Sequence, residues 1–476
     1  MDMKKIVIVG GGITGLAAAY TTAKNTAGEI SITLLEAGPE WGGKIRTDRE
    51  GGFVIEGGPD TFIVTKPWAV NLCRELGIAD RLQGTNPDAK KTYILKKGTL
   101  HELPGGLTMM IPTEIGEMVR TGLLSWPEKA RMGLDFLIPA SNGAADETMG
   151  GFLTRRLGRG AYENLIEPLM SGIYAGDGDR LSLGATFPYL RDLEKKHGGL
   201  VRGALAARRE RAKSGHAAAP GSRSLFLTPL TGLAEIVEAL VAALEKAGVE
   251  LRLNAPVTGI ARHPAGSWRL TLENGSGLEA DALILATPAF VAGRLLGEHY
   301  PDLAAELAAI DYVSTATVSL AYRESDLTRP LDGYGYVIPR REGRAALACT
   351  WTSTKFPHRA PAGCALLRVF IGRAGQVGEI PWDEAGLLEI AREELRLTLG
   401  ITAEPLFTRT HIWEKAMPQY NLGHPERLDR IDAFVGSIPG LALAGGGYRG
   451  IGIPDCIRSG EMAAEKTIQS LLEIEA

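Results

Sequence analysis

The sequence has few of the residues that metal sites, disulfides and membrane spans require. Its 476 residues include four cysteines without a Cys-x-x-Cys pair and eight histidines without a His-x-x-x-His pair. We therefore predict reduced thiols and no metal. The longest apolar stretch, which starts at Ala282, is interrupted by Pro288 and Gly293, and the N-terminal apolar run is too short for a signal peptide. These absences predict a cytoplasmic protein.

Neither sign of charge is in large excess. The chain carries 52 basic and 56 acidic residues, for a formal net charge of -4. Nucleic-acid binding usually requires a basic surface, so we predict no nucleic-acid partner. The apolar fraction of 45% is enough for large cores, and the length predicts two or three domains.

What the chain does have is a glycine-rich turn in a defined context near its N-terminus. The apolar segment KKIVIV runs into Gly10-Gly11-Gly12-Ile13-Thr14-Gly15 and then into a helical pattern. In Gly-x-Gly-x-x-Gly the first glycine permits a tight turn, the second lets the backbone approach a pyrophosphate, and the third lets the helix pack on the sheet. The motif therefore predicts a dinucleotide bound at the helix N-terminus.

The segment after the second predicted strand indicates which dinucleotide is bound. The strand EISITLLEA ends in Glu36 and Ala37, and an acid at this position takes the ribose hydroxyls and disfavours the 2′-phosphate of NADP. Gly42, Gly43 and Lys44 follow. Such a glycine pair is typical of flavoproteins of the amine-oxidase type, where it lets a second backbone segment approach the pyrophosphate and the lysine adds positive charge. We therefore predict FAD.

The dinucleotide-binding part is predicted to be discontinuous. The pattern predicts a strand and turn over 249–260, a hairpin over 268–280, a buried strand over 282–286, and a last strand and helix after residue 441. We predict three parts: an FAD-binding domain of residues 1–57, 222–291 and 438–476, a substrate-binding domain of residues 58–106, 191–221 and 292–437, and a helical subdomain of residues 107–190.

Two other stretches are interpreted by their composition. Residues 205–222 are dense in Arg and Lys and are predicted to form a surface linker. The loop 445–450 repeats the pattern Gly-x-Gly-x-x-Gly, but only 26 residues follow it. That length is too short for another helix, strand and acid, so we predict no second dinucleotide site.

Six segments spread over nearly the whole chain form a further pattern. They are GGGITGLAAAY at 10–20, GGPDTF at 57–62, ENLIEPLMSGIYAGD at 163–177, ACTWTSTKFPH at 348–358, MPQYNLGHPERL at 417–428 and GIGIPDCI at 450–457. Together they resemble one family, the FAD-dependent porphyrinogen oxidases of haem biosynthesis, and especially its Gram-positive bacterial branch. SGIYAGD and MPQYNLGH are the most specific, because a generic flavin amine oxidase is not expected to carry them.

The resemblance implies an α/β fold: a Rossmann-like FAD-binding domain of the amine-oxidase/p-hydroxybenzoate-hydroxylase type, a mixed-sheet substrate domain and a helical subdomain. It also implies oxidation of a porphyrinogen in three two-electron rounds, with hydride transfer to flavin N5 and reoxidation by O2 to peroxide. The Gram-positive branch acts on coproporphyrinogen III, which we favour as substrate, with protoporphyrinogen IX as the alternative. No catalytic side chain is predicted, because the cofactor carries the chemistry.

The resemblance further implies which residues contact cofactor and substrate. Backbone N–H groups at the start of the final helix are expected to face the N1/O2 edge of the reduced flavin. Besides the fingerprint, Glu36, Ala37, Gly43 and Lys44, the cofactor residues are Gly58, Pro59, Asp60, Thr61, Val257, Trp413, Ile451, Gly452 and Ile453.

Coproporphyrinogen carries four propionates, so its site needs cations around an apolar slot. Eukaryotic relatives place a propionate-binding arginine where this chain has Thr92, which leaves the anchor open. The candidate cations are Lys66, Lys91, Lys355 and Arg449, and the candidate slot walls are Phe62, Ile173, Tyr174 and Tyr420.

Other classes of protein share parts of this pattern. A flavin amine oxidase or a carotenoid-type desaturase has the glycine motifs and the final helix but not SGIYAGD, and a flavin-free escort of prenylated proteins has the architecture without the cofactor. The expected partners are the porphyrinogen and O2. The apolar loop 103–112 predicts peripheral contact with the membrane or with the next enzyme of the pathway, with burial in the core as the alternative.

Overall fold

A parallel five-stranded sheet carries the glycine motif. The computed structural model describes residues 3–108, 110–141, 145–213, 224–263, 266–376 and 380–473. Three distant stretches of the chain contribute strands to the sheet, while the domain boundaries given above stay a prediction. In spatial order the strands are Glu250–Arg252, Ile30–Leu35, Lys4–Val9, Ala282–Leu285 and Leu441–Leu443, and every neighbouring pair is parallel.

Both faces of this sheet are covered, which explains why its strands are continuously apolar. Side chains alternate along a strand, so Ile6 and Ile8 join one apolar core and Val7 and Val9 join another. The helices on the first face are Ile13–Thr26, Trp68–Glu75, Ala234–Lys246 and Ile453–Glu473. The second face is covered by the antiparallel strands Val257–Arg262, Trp268–Leu272 and Gly277–Ala280 and the helices Ala289–Leu296, Pro301–Ala308 and His424–Gly436.

The first and last helices approach each other through a glycine. The final helix begins at Ile453. A Cβ atom added at Gly460 would lie 2.3 Å from the backbone oxygen of Thr14. Because that oxygen belongs to the helix that follows the glycine fingerprint, the two helices lie in close contact at this point.

Replacing Gly460 with alanine is expected to push these two helices apart. We expect the free energy of unfolding to fall by about 1–3 kcal/mol, the usual cost of overpacking a core. Chemical denaturation of the variant and the wild type measures the change. Gly436→Ala is the control, since no atom lies within 4 Å of a Cβ placed there. Equal stability of the Gly460→Ala variant and the wild type would contradict the close helix contact.

A mixed seven-stranded sheet forms the second layer, as the predicted fold class requires. The pairing of Gly333–Val337 with Lys91–Lys96 is parallel, and the other pairings are antiparallel. The helix Glu384–Leu399 packs on one face through Leu387, Ala391 and Leu395. In spatial order the strands are Phe407–Pro418, Tyr312–Arg323, Cys364–Ile371, Ala346–Trp351, Gly333–Val337, Lys91–Lys96 and Thr99–Glu102.

Short strands and turns connect the two layers. A three-stranded sheet consists of Phe62–Ile63, Phe226–Pro229 and Leu82–Gly84, and a hairpin consists of Thr47–Glu50 and Phe53–Glu56. The short helices outside the helical part are Thr352–Lys355, Ala79–Arg81, Glu324–Asp326, Arg340–Glu342 and Pro357–Arg359.

A helical part packs around one apolar cluster. Its helices are Ile115–Arg120, Trp126–Gly133, Leu134–Phe136, Met149–Leu157, Arg159–Ala161, Tyr162–Ile166, Glu167–Tyr174, Leu183–Thr186, Pro188–His197 and Leu200–Lys213. Leu190, Leu200 and Ala204 belong to this cluster, so the last two helices extend it beyond residue 190. The linker prediction for 205–222 was wrong for residues 205–213, which are helical, while residues 214–222 lie outside the described residues.

The apolar loop 103–112 packs against the same cluster. Its strands Leu107–Thr108 and Ile111–Pro112 form a small hairpin, and Ile111 is fully buried. Met109 lies outside the described residues. For the described residues this packing corresponds to the burial alternative, and contact with a membrane or a partner enzyme stays a prediction. Within the described ranges, no helix is both long and apolar enough to cross a membrane.

Candidate active site

The three glycines of the fingerprint have different surroundings. Gly10 has a φ of +109°, and a Cβ there would lie 2.6 Å from the oxygen of Ala286. A Cβ at Gly15 would lie 1.8 Å from the oxygen of Gly10. Gly12, in contrast, has no atom within 4 Å of such a Cβ. Packing of the chain itself therefore explains Gly10 and Gly15, whereas Gly12 leaves room for a group that is not part of the chain.

The second glycine pair lies directly against this turn. The Gly42 N–H donates to the Gly11 oxygen at 2.9 Å, and a Cβ at Gly43 would lie 3.2 Å from the Cα of Gly12. Both Gly42 and Gly43 have positive φ angles, of +105° and +59°. Two glycine segments from separate parts of the chain thus line the same opening at the ends of the parallel strands.

Glu36 lies at the end of the neighbouring strand, beside the same turn. Its two carboxylate oxygens accept hydrogen bonds from the Gly11 N–H at 2.6 Å and the Gly38 N–H at 2.8 Å. These two bonds fix the orientation of the carboxylate and leave it further lone pairs for hydroxyl donors. The Ala255 N–H donates to the Glu36 backbone oxygen at 2.9 Å, which places Val257 close to this end of the opening.

Lys44 lies close to the start of the final helix. Its Nζ donates to the backbone oxygen of Ala416, and burial lowers its pKa although the side chain is solvent-accessible. Burial also raises the pKa of the Cys456 thiol in the first turn of the final helix to about 11, although the charge of Lys44 opposes this shift. Lys44 therefore places a positive charge near the first turn of the final helix.

These surroundings fit an extended dinucleotide with a ring system. The opening is lined by backbone at Gly12 and Gly445, where an added Cβ would meet nothing within 4 Å, and by one desolvated cation. Bare backbone accommodates a pyrophosphate closely, and a partly desolvated lysine favours a negative group.

The segment after the first hairpin continues along this space. A Cβ at Gly58 would lie 1.8 Å from the oxygen of Lys44. The Gly57 oxygen accepts hydrogen bonds from the Trp413 indole Nε1 and from the Thr317 hydroxyl, both at 2.8 Å. Trp413 is therefore fixed by a hydrogen bond to this segment and is half-buried beside it.

An ion pair and a buried arginine hold the following residue, Asp60. Its Oδ2 lies 2.9 Å from Lys355 Nζ, and the buried Arg368 donates to the Gly58 oxygen. Burial alone would raise the pKa of the Asp60 carboxyl, but Lys355 and Arg368 outweigh it and hold the pKa at about 2. Sequence reasoning missed Arg368. The available signal was a lone arginine within the apolar strand Cys364–Ile371.

This depressed pKa predicts an acid-dependent loss of stability. The ordinary pKa of 3.8 applies in the unfolded chain and about 2 in the folded protein, so the stabilisation is complete above pH 4 and is lost as the pH falls towards 2. Between pH 5 and pH 2 we expect the wild type to lose about 2 kcal/mol more than Asp60→Asn. Urea unfolding at both pH values measures this difference. Identical pH dependence of the two proteins would contradict the assignment.

All four candidate cations already pair with a carboxylate. Lys66 pairs with Asp455, Lys91 with Asp332, Lys355 with Asp60 and Arg449 with Asp432. The side chain of Lys355 is 17% exposed, whereas those of the other three are 45–57% exposed. Of the four, Lys355 is thus the one held as an interior charge beside the segment 57–61.

The candidate slot walls divide into two groups. Phe62 is buried in the core of the nucleotide-binding part, and Tyr420 is fully buried. Their role as slot walls stays a prediction. Ile173 is 45% exposed although its neighbours Tyr174 and Ala175 are buried. The helix Glu167–Tyr174 thus presents one apolar side chain at its end.

A parallel sheet with the glycine fingerprint, a second glycine pair against it and a carboxylate fixed at the end of the neighbouring strand define a dinucleotide-binding flavoprotein. Residues 13–468 match the family model of flavin containing amine oxidoreductases. The chain belongs to this family, and it is an FAD-dependent oxidoreductase.

Several proteins similar to this chain over nearly its whole length are porphyrinogen oxidases. The coproporphyrinogen III oxidase of Bacillus subtilis is 38% identical, over 98% of this chain and 98% of that protein. The protoporphyrinogen oxidase of Homo sapiens is 30% identical, over 97% of this chain and 98% of that protein. A crystal structure from Exiguobacterium sp. 255-15, assigned to a protoporphyrinogen oxidase, is 35% identical with a TM-score of 0.86 and covers 100% of both chains.

Proposed function

We propose that this protein oxidises coproporphyrinogen III to coproporphyrin III in haem biosynthesis, with O2 as the electron acceptor. The observation that carries the proposal is full-length similarity to a coproporphyrinogen III oxidase at 38% identity, against 30% for the human protoporphyrinogen oxidase. The domain boundaries, the residue roles and a cytoplasmic location given above are part of the same proposal.

The overall reaction removes six hydrogen atoms from the macrocycle. Each of three rounds takes one hydride from a bridging carbon and one proton, and one O2 receives both and leaves as H2O2. Over the three rounds each of the four bridging carbons loses one hydrogen and the pyrrole nitrogens lose two, so one of the three protons comes from the fourth bridging carbon. When bound, FAD supplies the two-electron acceptor for this exchange. The protein therefore has to position an apolar macrocycle, exclude water and balance negative charge.

The chain has suitable groups for each task. Ile173, exposed at the end of its helix, supplies an apolar contact for the macrocycle. Lys355, fixed by Asp60, supplies positive charge close to the segment 57–61 and attracts a propionate. At the start of the final helix, the N–H of Ile453 has no partner within the helix, so it is available to a negatively charged ring edge.

Protoporphyrinogen IX is the second candidate substrate. The two porphyrinogens share the macrocycle, and coproporphyrinogen III has two more propionates. The crystal structure from Exiguobacterium, assigned to a protoporphyrinogen oxidase, supports this alternative because it resembles the chain over its whole length. Because the two substrates share the macrocycle, an apolar slot does not distinguish them. Discrimination between them then has to come from the cations that pair with the propionates.

Anaerobic mixing of the FAD-loaded protein with coproporphyrinogen III tests the reaction class. We expect the yellow colour to bleach, and to return when O2 is admitted, with three H2O2 formed for each porphyrin. Benzylamine is the control, because a flavin amine oxidase would be bleached by an amine. Bleaching by the amine and not by the porphyrinogen would overturn the proposal, and a colourless purified protein that binds no FAD would indicate an escort.

A further inference from the structure

The segment Gln419–His424 connects two parts of the molecule that have separate roles in the proposed reaction. On one side it is bonded to the helical part. The Ser182 N–H donates to the Tyr420 oxygen at 2.8 Å, and the Leu422 N–H donates to the Arg180 oxygen at 2.8 Å. The Gln419 side-chain amide donates to the backbone oxygen of Tyr174 at 2.9 Å. These bonds fix the segment to the end of the helix that carries Ile173.

On the other side, the Tyr420 hydroxyl is bonded twice to the loop before the final helix. It donates to the Gly446 oxygen at 2.6 Å and accepts from the Gly450 N–H at 2.8 Å. The ring is fully buried and packs against Tyr174, with ring centres 5.9 Å apart. The Tyr420 side chain therefore contacts both the end of the helix Glu167–Tyr174 and the loop that leads into Ile453.

His424 completes the contact with this loop. Its ring stacks on Tyr420, with centres 4.3 Å apart, and its Nε2 lies 2.8 Å from the backbone oxygen of Tyr448. A carbonyl oxygen only accepts, so Nε2 carries the proton. Burial lowers the pKa of His424, although the bond to Tyr448 opposes this shift. The ring is neutral under ordinary conditions and acts as a fixed donor.

The loop has one long internal backbone bond, from the Tyr448 N–H to the Gly445 oxygen at 3.4 Å, and the Gly445 N–H donates to the Ser459 hydroxyl at 2.9 Å, so its middle depends on bonds from outside. Gly445 and Gly450 have φ angles of +128° and +121°, a conformation that glycine reaches at a high cost in conformational entropy. Tyr420 and His424 bond to this loop at Gly446, Tyr448 and Gly450. Together they hold the path of the backbone into the first turn of the final helix.

We propose that Tyr420 is a positioning residue that sets where the N–H groups at the start of the final helix lie relative to the flavin ring and to Tyr174. His424 supports Tyr420 from the other side of the ring. The inference relies on the proposed placement of the flavin edge at this helix start, and it does not depend on which porphyrinogen is oxidised. The MPQYNLGH segment then connects the helix that carries Ile173 with the loop that leads to the proposed flavin edge.

The test is the midpoint potential of the bound flavin in Tyr420→Phe. The substitution keeps the ring contacts with Tyr174 and His424 and removes both hydrogen bonds to the loop. We expect FAD to stay bound, and we expect the affinity for reduced FAD to fall about tenfold relative to the affinity for oxidised FAD. For a two-electron couple this loss is a potential about 30 mV more negative. In turnover we expect kcat to fall more than KM rises.

Tyr336→Phe is the matched control. Tyr336 is also buried, and its hydroxyl donates to Glu394 at 3.2 Å under the outer helix Glu384–Leu399. This variant is expected to lose similar stability and to keep the wild-type flavin potential. A Tyr420→Phe potential equal to that of the wild type, or the same shift in both variants, would overturn the proposal. The measurement needs no porphyrinogen, so failure of the proposed substrate would not affect it.

Two variants of His424 provide the test if Tyr420→Phe does not fold with FAD. His424→Gln can place an amide donor near the position of Nε2, whereas His424→Leu cannot donate to Tyr448. We expect the glutamine variant to keep the wild-type flavin potential and the leucine variant to show the negative shift. Equal potentials in the two variants would contradict the role of this donor in holding the loop.

Discussion

Replacing Gly12 with alanine is expected to weaken FAD binding by about two orders of magnitude while the protein without FAD stays as stable as the wild type. The backbone of Gly12 has φ −71° and ψ 176°, which alanine adopts without strain. No atom lies within 4 Å of the added methyl group. The methyl therefore conflicts only with a group bound at this turn, where the second glycine of the fingerprint lets a pyrophosphate approach. Fluorescence titration with FAD measures the affinity, and thermal unfolding measures the stability.

Two further glycine variants separate ligand contact from packing. Gly133→Ala adds a methyl group in equally open space on a helical backbone with φ −61°, far along the chain in the helical part, and should leave FAD affinity unchanged. Gly15→Ala places its methyl group against the backbone oxygen of Gly10, so it should destabilise the protein with or without FAD. A Gly12→Ala variant with wild-type FAD affinity would contradict the proposed position of the cofactor.

Replacing Ile173 with aspartate is expected to lower kcat/KM for coproporphyrinogen III on the order of a hundredfold, with FAD still bound. The side chain is accessible at the end of its helix, so the change places a charge where an apolar macrocycle is proposed to lie, and burying an unpaired charge there is costly. The visible spectrum reports bound FAD, and porphyrin fluorescence reports turnover.

Leu397→Asp is the matched control for this change. Leu397 is 44% exposed, nearly the same as the 45% of Ile173, but it lies on the outer helix Glu384–Leu399. Its aspartate variant should keep wild-type turnover. Loss of FAD together with activity in Ile173→Asp would identify Ile173 as a folding residue. Wild-type turnover of this variant would contradict the assignment of Ile173 to the substrate slot.

Much of the cofactor-binding fold was predictable because its signals are local. The glycine fingerprint, the strand ending in Glu36 and the hairpin over 268–280, which has Asn274 and Gly275 at its turn, are signals that depend on neighbouring residues alone. The structure confirms the predicted hairpin as strands Trp268–Leu272 and Gly277–Ala280, with Gly275 at φ +81°. Local signals of this kind predict the conformation of a short segment without knowledge of its tertiary contacts.

The partners of charged side chains were not predictable, because they come from distant parts of the chain. Lys66 and Asp455 are separated by 389 positions, and Lys355 and Asp60 by 295. Composition likewise misled for residues 205–213, where Arg208 and Arg209 are exposed on a helix whose start, at Leu200 and Ala204, is buried. Phe62 has the residue type of a slot wall, and only the tertiary structure shows it within the core.

The most direct test of the central claim compares kcat/KM of the purified, FAD-loaded protein for coproporphyrinogen III and protoporphyrinogen IX under air. Porphyrin fluorescence is followed at matched substrate concentrations, with autoxidation subtracted. Preferential oxidation of coproporphyrinogen III, with three O2 consumed for each porphyrin, is the result we predict. Preference for protoporphyrinogen IX would assign the alternative substrate, and failure to oxidise either porphyrinogen would contradict the proposed function.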